Sequence, residues 1–195
     1  MSNNTPDTIR DQAAAKYTAI RGNRDLSQPA ALRAIAVTHV ATKSALDAMA
    51  EKDAADATAH EGALSTKLLG IGSTDPSAAI SHRDAQDRVA AIPLSDVRTP
   101  GEMLARATMS GDTAMGKAVL GRAFSTGDTD LAQQYIAANP NTEQDVTDLW
   151  NIRNGPKLSP LTAAMTYRPQ TPPELSGMPD YQIAAIAASA AGNLT

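Results

Sequence analysis

Apolar positions along this chain recur three or four residues apart and nowhere alternate over more than a few residues, the rhythm of amphipathic helices rather than strands. The first stripe is Ile9, Ala13, Tyr17 and Ile20, spaced four, four and three. It follows Thr5-Pro6-Asp7, which reads as a helix start: a capping hydroxyl, a proline in the first turn and an acid near the positive end of the helix dipole. A helix to Ile20 or Arg21, stopping at Gly22, is expected. Ser27 and Pro29 repeat the start signal. Leu32, Ile35, His39, Thr42, Leu46 and Met49 then alternate three and four apart, the spacing of a helix–helix seam. The seam fades through EKDAADATAHEGA, whose apolar residues are all alanines, and returns at Leu64, Leu68 and Leu69. No strong breaker precedes Gly70, so one helix of about forty residues is expected, packed at both ends and polar in the middle.

Gly70-Ile-Gly-Ser-Thr breaks the pattern, and Asp75-Pro76 restarts it as a helix to about Ala91, ended by Pro93. Thr99-Pro-Gly-Glu102 has the form of a capping box, with the helix running to about Met109. LARATMSGDT (Leu104 to Thr113) and LGRAFSTGDT (Leu120 to Thr129) match at six of ten positions, sixteen residues apart. Each reads as a helix end, a glycine suited to a left-handed cap, and an aspartate opening the next helix. Two such units stack like one element of an α-solenoid. Thr142 is the expected cap of a helix carrying Val146, Leu149 and Trp150 and ending near Asn154-Gly155-Pro156. After that, Pro160, Pro169, Pro172, Pro173 and Pro179 predict an extended arm, closed by a short alanine-rich helix from Asp180 to about Ala191. The expected fold is all-α: an N-terminal helix pair with one long helix (1–70), an array of short helices (71–155), and an extended Pro-rich arm with a short terminal helix (156–195).

Composition thins the core that these helices share. Of 195 residues 42% are hydrophobic, but alanine supplies much of that, with one Phe, one Trp and four Tyr. Alanine lets helices approach yet buries little area, so thin seams rather than one thick core are expected. In such a chain Phe124 and Trp150 are expected as core anchors. Charge is balanced through Leu69, and the net of −4 arises after it. No half is basic, which argues against nucleic-acid binding through phosphate neutralisation. The absence of cysteine excludes disulfides and thiolate metal sites. MSNNTPDTIR holds no apolar signal core, and the run Ile183 to Ala191 is too short to span a bilayer.

Candidate chemistry reduces to structural roles. His39 lies on the apolar seam and is read as a packed, hydrogen-bonded residue. Asp56 and His60 share a helix face in a charged, solvated stretch without a second histidine, which is poor provision for a metal. His82 and Ser81 are sequence neighbours and point apart on a helix, so they form no nucleophile pair. Gly70-Ile-Gly72 lacks the third glycine and the preceding strand of a dinucleotide loop. Asp128-Thr-Asp130 lacks the later ligands of a calcium loop, and helix capping accounts for it. Catalytic, cofactor and metal residues are therefore expected to be absent, with no small-molecule ligand.

YTAIRGNRDLSQPAALRAIAVTHVATKSALDAM (Tyr17 to Met49), DPSAAISHRDAQDRVA (Asp75 to Ala90) and LARATMSGDTAMGKAVLGRAF (Leu104 to Phe124) resemble small alanine-rich helical structural proteins of tailed phages, particularly those of actinobacterial hosts. The shared pattern is a short helix ending in an Ile-Arg turn, a Leu-Ser cap and a long alanine-rich helix. The Pro-rich arm lies outside the matching stretches. The resemblance implies a non-enzymatic virion component, assembled in the bacterial cytoplasm, that binds the capsid or the head–tail junction. Its partners would be other phage structural proteins and further copies of itself, with no membrane or nucleic acid. A scaffolding or assembly chaperone is the first alternative, and a cytosolic α-solenoid-like adaptor or regulator the second. Leu175, Met178 and Tyr181 are the expected partner contacts. They lie on an arm that its own domain, poor in large apolar residues, is expected not to receive.

Overall fold

Helix starts and stops lie largely where the chain's capping residues put them. The computed structural model describes residues 5–70, 75–156 and 159–191. Its α-helices are α1 (Pro6–Gly22), α2 (Gln28–Leu69), α3 (Pro76–Ala90), α4 (Thr99–Ser110), α5 (Thr113–Thr126), α6 (Thr129–Ala138), α7 (Glu143–Asn154), α8 (Pro160–Thr166) and α9 (Asp180–Ala191). Short 3-10 turns occupy Pro140–Thr142 and Pro173–Leu175, and the described residues contain no strand. The fold is all-α.

The Thr5 hydroxyl accepts the Thr8 amide at 3.2 Å to open α1, and the Asp75 carboxylate accepts that of Ser77 at 3.0 Å to open α3. The sixteen-residue repeat is real in structure. Gly111 and Gly127 end α4 and α5 with φ of 71° and 70°, in the left-handed region that suits glycine. Asp112 and Asp128 then each accept an amide three residues on, from Met115 and Leu131, both at 3.0 Å. Leu104 and Leu120, the first residues of the two copies, are both buried in one cluster.

Two expected caps are made otherwise. Asp96 rather than Thr99 caps α4: its Oδ1 accepts the amides of Arg98 and Thr99 at 3.1 and 3.0 Å, while Glu102 pairs with Arg98. A charged carboxylate is the stronger acceptor, so it displaces the hydroxyl. Thr142 makes no side-chain cap on α7; its hydroxyl donates to the Asn139 carbonyl at 2.8 Å.

The chain divides into two units, a different division from the three parts expected. Unit 1 joins Met1–Ala55 to Leu158–Thr195, and unit 2 is Asp56–Lys157. The division falls inside α2, whose residues 51–60 are all exposed, as its polar middle requires. In unit 2, Leu104, Val119, Leu120, Phe124, Leu131, Val146 and Leu149 share one core with Leu64 and Leu68 of α2. Phe124 is buried and Trp150 half-buried, their rings 5.7 Å apart. In unit 1, Ala13, Tyr17, Ile35, Ala36, Leu175 and Ile183 form a smaller cluster.

The C-terminal segment is not one extended arm. Ser159 accepts the Thr162 amide at 3.1 Å and opens α8. Beyond Leu175, Ser176 (φ −61°, ψ 132°) and Gly177 (φ 77°) make a type II turn closed by the Met178 amide on the Leu175 carbonyl at 3.1 Å.

Candidate docking surfaces

The three residues expected to meet a partner have different fates. Leu175 is fully buried in unit 1, and Met178 packs against the same cluster half-buried. That corrects the expectation that their own domain would not receive them. Leu175 belongs to the same buried cluster as Ala13 and Tyr17 of α1 and Ile35 and Ala36 of α2, and small alanines leave room in such a cluster for a larger side chain. Only Tyr181 stays on the surface, 72% exposed.

Polar contacts fasten the segment around Leu175. Arg21 holds Glu174 through two parallel bonds, Nε to Oε1 at 2.7 Å and Nη2 to Oε2 at 2.9 Å. This fork lowers the Glu174 carboxyl to about 2. Lys43 pairs with Asp180 and holds its carboxyl below the usual range. Arg10 donates to the carbonyls of Met165, Thr166 and Arg168, at the C-terminal end of α8 where a cation offsets the helix dipole. The Tyr167 hydroxyl donates to Asp53 at 2.7 Å.

Unit 2 uses the same device. Arg122 caps the end of α3, donating to the Ile92 and Pro93 carbonyls at 2.9 and 2.8 Å. Lys117 reaches the Gly70 carbonyl, just past α2, at 2.7 Å. Arg153 bonds Glu61 and Ser65 at 3.1 and 2.9 Å, and its guanidinium lies over the Phe124 ring.

A cleft of about 200 Å³ opens in unit 1 between α1 and residues 170–173, with Arg10, Tyr17, Arg21 and Thr42 among its walls. Its cations are committed, Arg10 to carbonyls and Asp7, Arg21 to Glu174. Burial raises the Tyr17 hydroxyl pKa, and the Thr42 hydroxyl donates to the Thr38 carbonyl. Nothing in this arrangement activates a nucleophile or presents a free charge pair. A second cleft, about 340 Å³, lies in unit 2 along the first Gly-Asp-Thr turn and is lined by Leu104, Lys117 and Tyr135.

His39 is buried on the α2 seam, but its Nδ1 lacks the hydrogen-bond partner expected of it. Burial lowers its pKa and so favours the neutral imidazole. His82 is buried while Ser81 is exposed, so the two point apart. Asp56 and His60 are both exposed, and among the described residues no three His, Cys, Asp or Glu side chains gather as a metal site would need. Gly72 lies outside the described residues. No helix among the described residues is long and apolar enough to cross a membrane.

What remains conspicuous is apolar surface. Ile80 on α3, Leu94 and Val97 in the following loop, and Met109 on α4 are 71–80% exposed. In unit 1, Leu161, Met165 and Tyr181 are 60–72% exposed. No protein-family model, curated protein or solved structure matches this chain.

Proposed function

We propose that this chain is a non-enzymatic structural component of a tailed-phage particle, binding the capsid or the head–tail junction through protein–protein contacts. The observation that carries the reading is where its scarce large apolar side chains lie. In a chain whose exposed helix positions are filled with alanine and charge, Ile80, Leu94, Val97 and Met109 of unit 2 are nevertheless displayed. Large exposed apolar residues suit burial by a partner more than they suit solvent. The clefts, whose donors are committed or which carry no reactive pairing, give no comparable support to catalysis. The resemblance of Tyr17 to Met49, Asp75 to Ala90 and Leu104 to Phe124 to phage helical proteins supplies the particle as the setting.

The test is the composition of purified mature particles, by quantitative mass spectrometry of the protein bands. A fixed stoichiometry to the portal or capsid protein is expected. Presence in immature shells and loss on maturation would assign the scaffolding role instead. Absence from both would overturn the reading and leave the adaptor. Leu94→Asp/Val97→Asp should fold normally and lower the incorporated copy number.

A further inference from the structure

One face of α2 within unit 1 is left uncovered among the described residues. Val37, Val40, Ala41, Ser44 and Ala48 all point to solvent, on the side away from the buried seam of Ile35, His39, Thr42 and Leu46. Val37 and Val40 are 44% and 38% exposed. A β-branched residue at an exposed helix position lowers helix propensity relative to the alanine this chain uses elsewhere, so the uncovered part of the two valines is surface that a partner could still bury.

The charges bordering this strip specify an occupant. Arg33 and Glu51 are eighteen residues apart, about five turns at 3.6 residues per turn and roughly 27 Å along the axis, so they lie on the same flank at opposite ends of the strip. Among the described residues neither has a hydrogen-bond or ion-pair partner. Asp47, one turn before Glu51, adds a second negative charge to the same region, a like-charge spacing that is unfavourable in isolation.

We propose that this face binds a second copy of the chain, with the two α2 helices antiparallel and the two-fold level with Thr42. That operation brings Arg33 of each copy opposite Glu51 of the other, forming two equivalent ion pairs outside a seam of valine and small residues. A parallel pair would set Arg33 against Arg33 and Glu51 against Glu51. Small side chains let the axes approach to about 8 Å, while Val37 and Val40 fill the seam. An interface of a few side chains per copy lies at the low end of specific interfaces, so the dimer is weak and salt-sensitive. The inference concerns self-association alone and stands whether or not the chain belongs to a particle.

Sedimentation of the full chain from about 1 to 200 μM tests it at a scale suited to micromolar affinity. A monomer–dimer equilibrium is expected, weakened by added salt. Val37→Glu/Val40→Glu should give monomers with an unchanged circular dichroism spectrum. Arg33→Glu alone, and Glu51→Arg alone, should each raise the dimer Kd about tenfold or more, and the double swap should restore it to within a few-fold. A monomer throughout the range overturns the proposal, as does a dimer indifferent to the valine changes or a double swap that fails to restore pairing.

Discussion

In unit 2 the buried side chains come mainly from helices that follow one another closely: α3, α4, α5, α6 and α7 each contribute to a core built on Leu120, Phe124 and Leu149. In unit 1 the chain must join α1 and the start of α2 to residues more than a hundred positions away, and it has a small apolar cluster with which to do so. Around that cluster, cations add polar ties, each a modest one because the pairs are exposed. Arg10, Arg21 and Lys43 each hold a carbonyl or carboxylate of the C-terminal segment, around one leucine plug. Alanine-rich helices can thus close over a remote segment with little apolar area, provided that long charged side chains reach its helix ends. Such a closure should respond to salt and acid where a core of Leu and Phe does not.

The most damaging single change should be in unit 2. Leu120→Ala empties a fully buried position and should cost about 2–4 kcal/mol by urea unfolding. Leu175→Ala should cost nearly as much, about 2–3 kcal/mol, but locally: hydrogen exchange should quicken over α9 and the Pro173–Leu175 turn while α4 to α7 keep their protection. If both variants lose protection everywhere, the two units do not differ in the way described.

Gly127→Ala should cost about 1 kcal/mol because alanine is strained at φ 70°, and Gly111→Ala should match it. Unequal effects would mean that the two copies of the turn are equivalent in geometry only.

Acid should produce the smallest and most selective effect. His39, buried between the influences of Asp180 and Lys43, has a folded pKa below its ordinary 6.5, and Glu174 is held at about 2 against 4.5. Both are depressed, so the unfolded chain binds protons more readily and stability rises with pH. The His39 contribution is complete above about 6.5 and declines below it. That of Glu174 is complete above about 4.5 and is lost as pH falls through about 2. Exposure of the Arg21–Glu174 pair keeps the second part modest. Exchange in α9 should quicken on acidification, and Glu174→Gln should remove the lower step while leaving the upper one.

Most helix boundaries were legible because their signals are local. Asp-plus-amide caps, glycine stops and a three–four apolar spacing need no knowledge of the rest of the chain, and the α2 seam from Leu32 to Met49 was readable for that reason. α8 is hard to see in the sequence although Ser159-Pro160 is the same kind of start as Asp75-Pro76, because the prolines that follow point to extended chain. The seat of Leu175 was missed for a deeper reason. A shortage of large apolar residues does not imply that no site receives a leucine, because small residues such as Ala13 and Ala36 share its cluster. Nor does a sequence period show that residues past 158 return to α1. That contact depends on distant side chains, and Arg21 and Glu174 carry no mark that they are partners.

The split composition of unit 1 also sets an order in time. Every residue of unit 2's core, with Trp150 and Ile152 packed against it, has been synthesised by the time Ile152 leaves the ribosome, and its helices can then settle. Ala36 and Ile35 must wait for Leu175, which at about 5–20 residues per second means a delay on the order of ten seconds. Throughout that interval the cluster of Ala13, Tyr17, Ile35 and Ala36 lacks Leu175 and Ile183. Unit 1 is therefore the later of the two units to complete its apolar cluster, and the arrival of Leu175 and Ile183 sets when it does so.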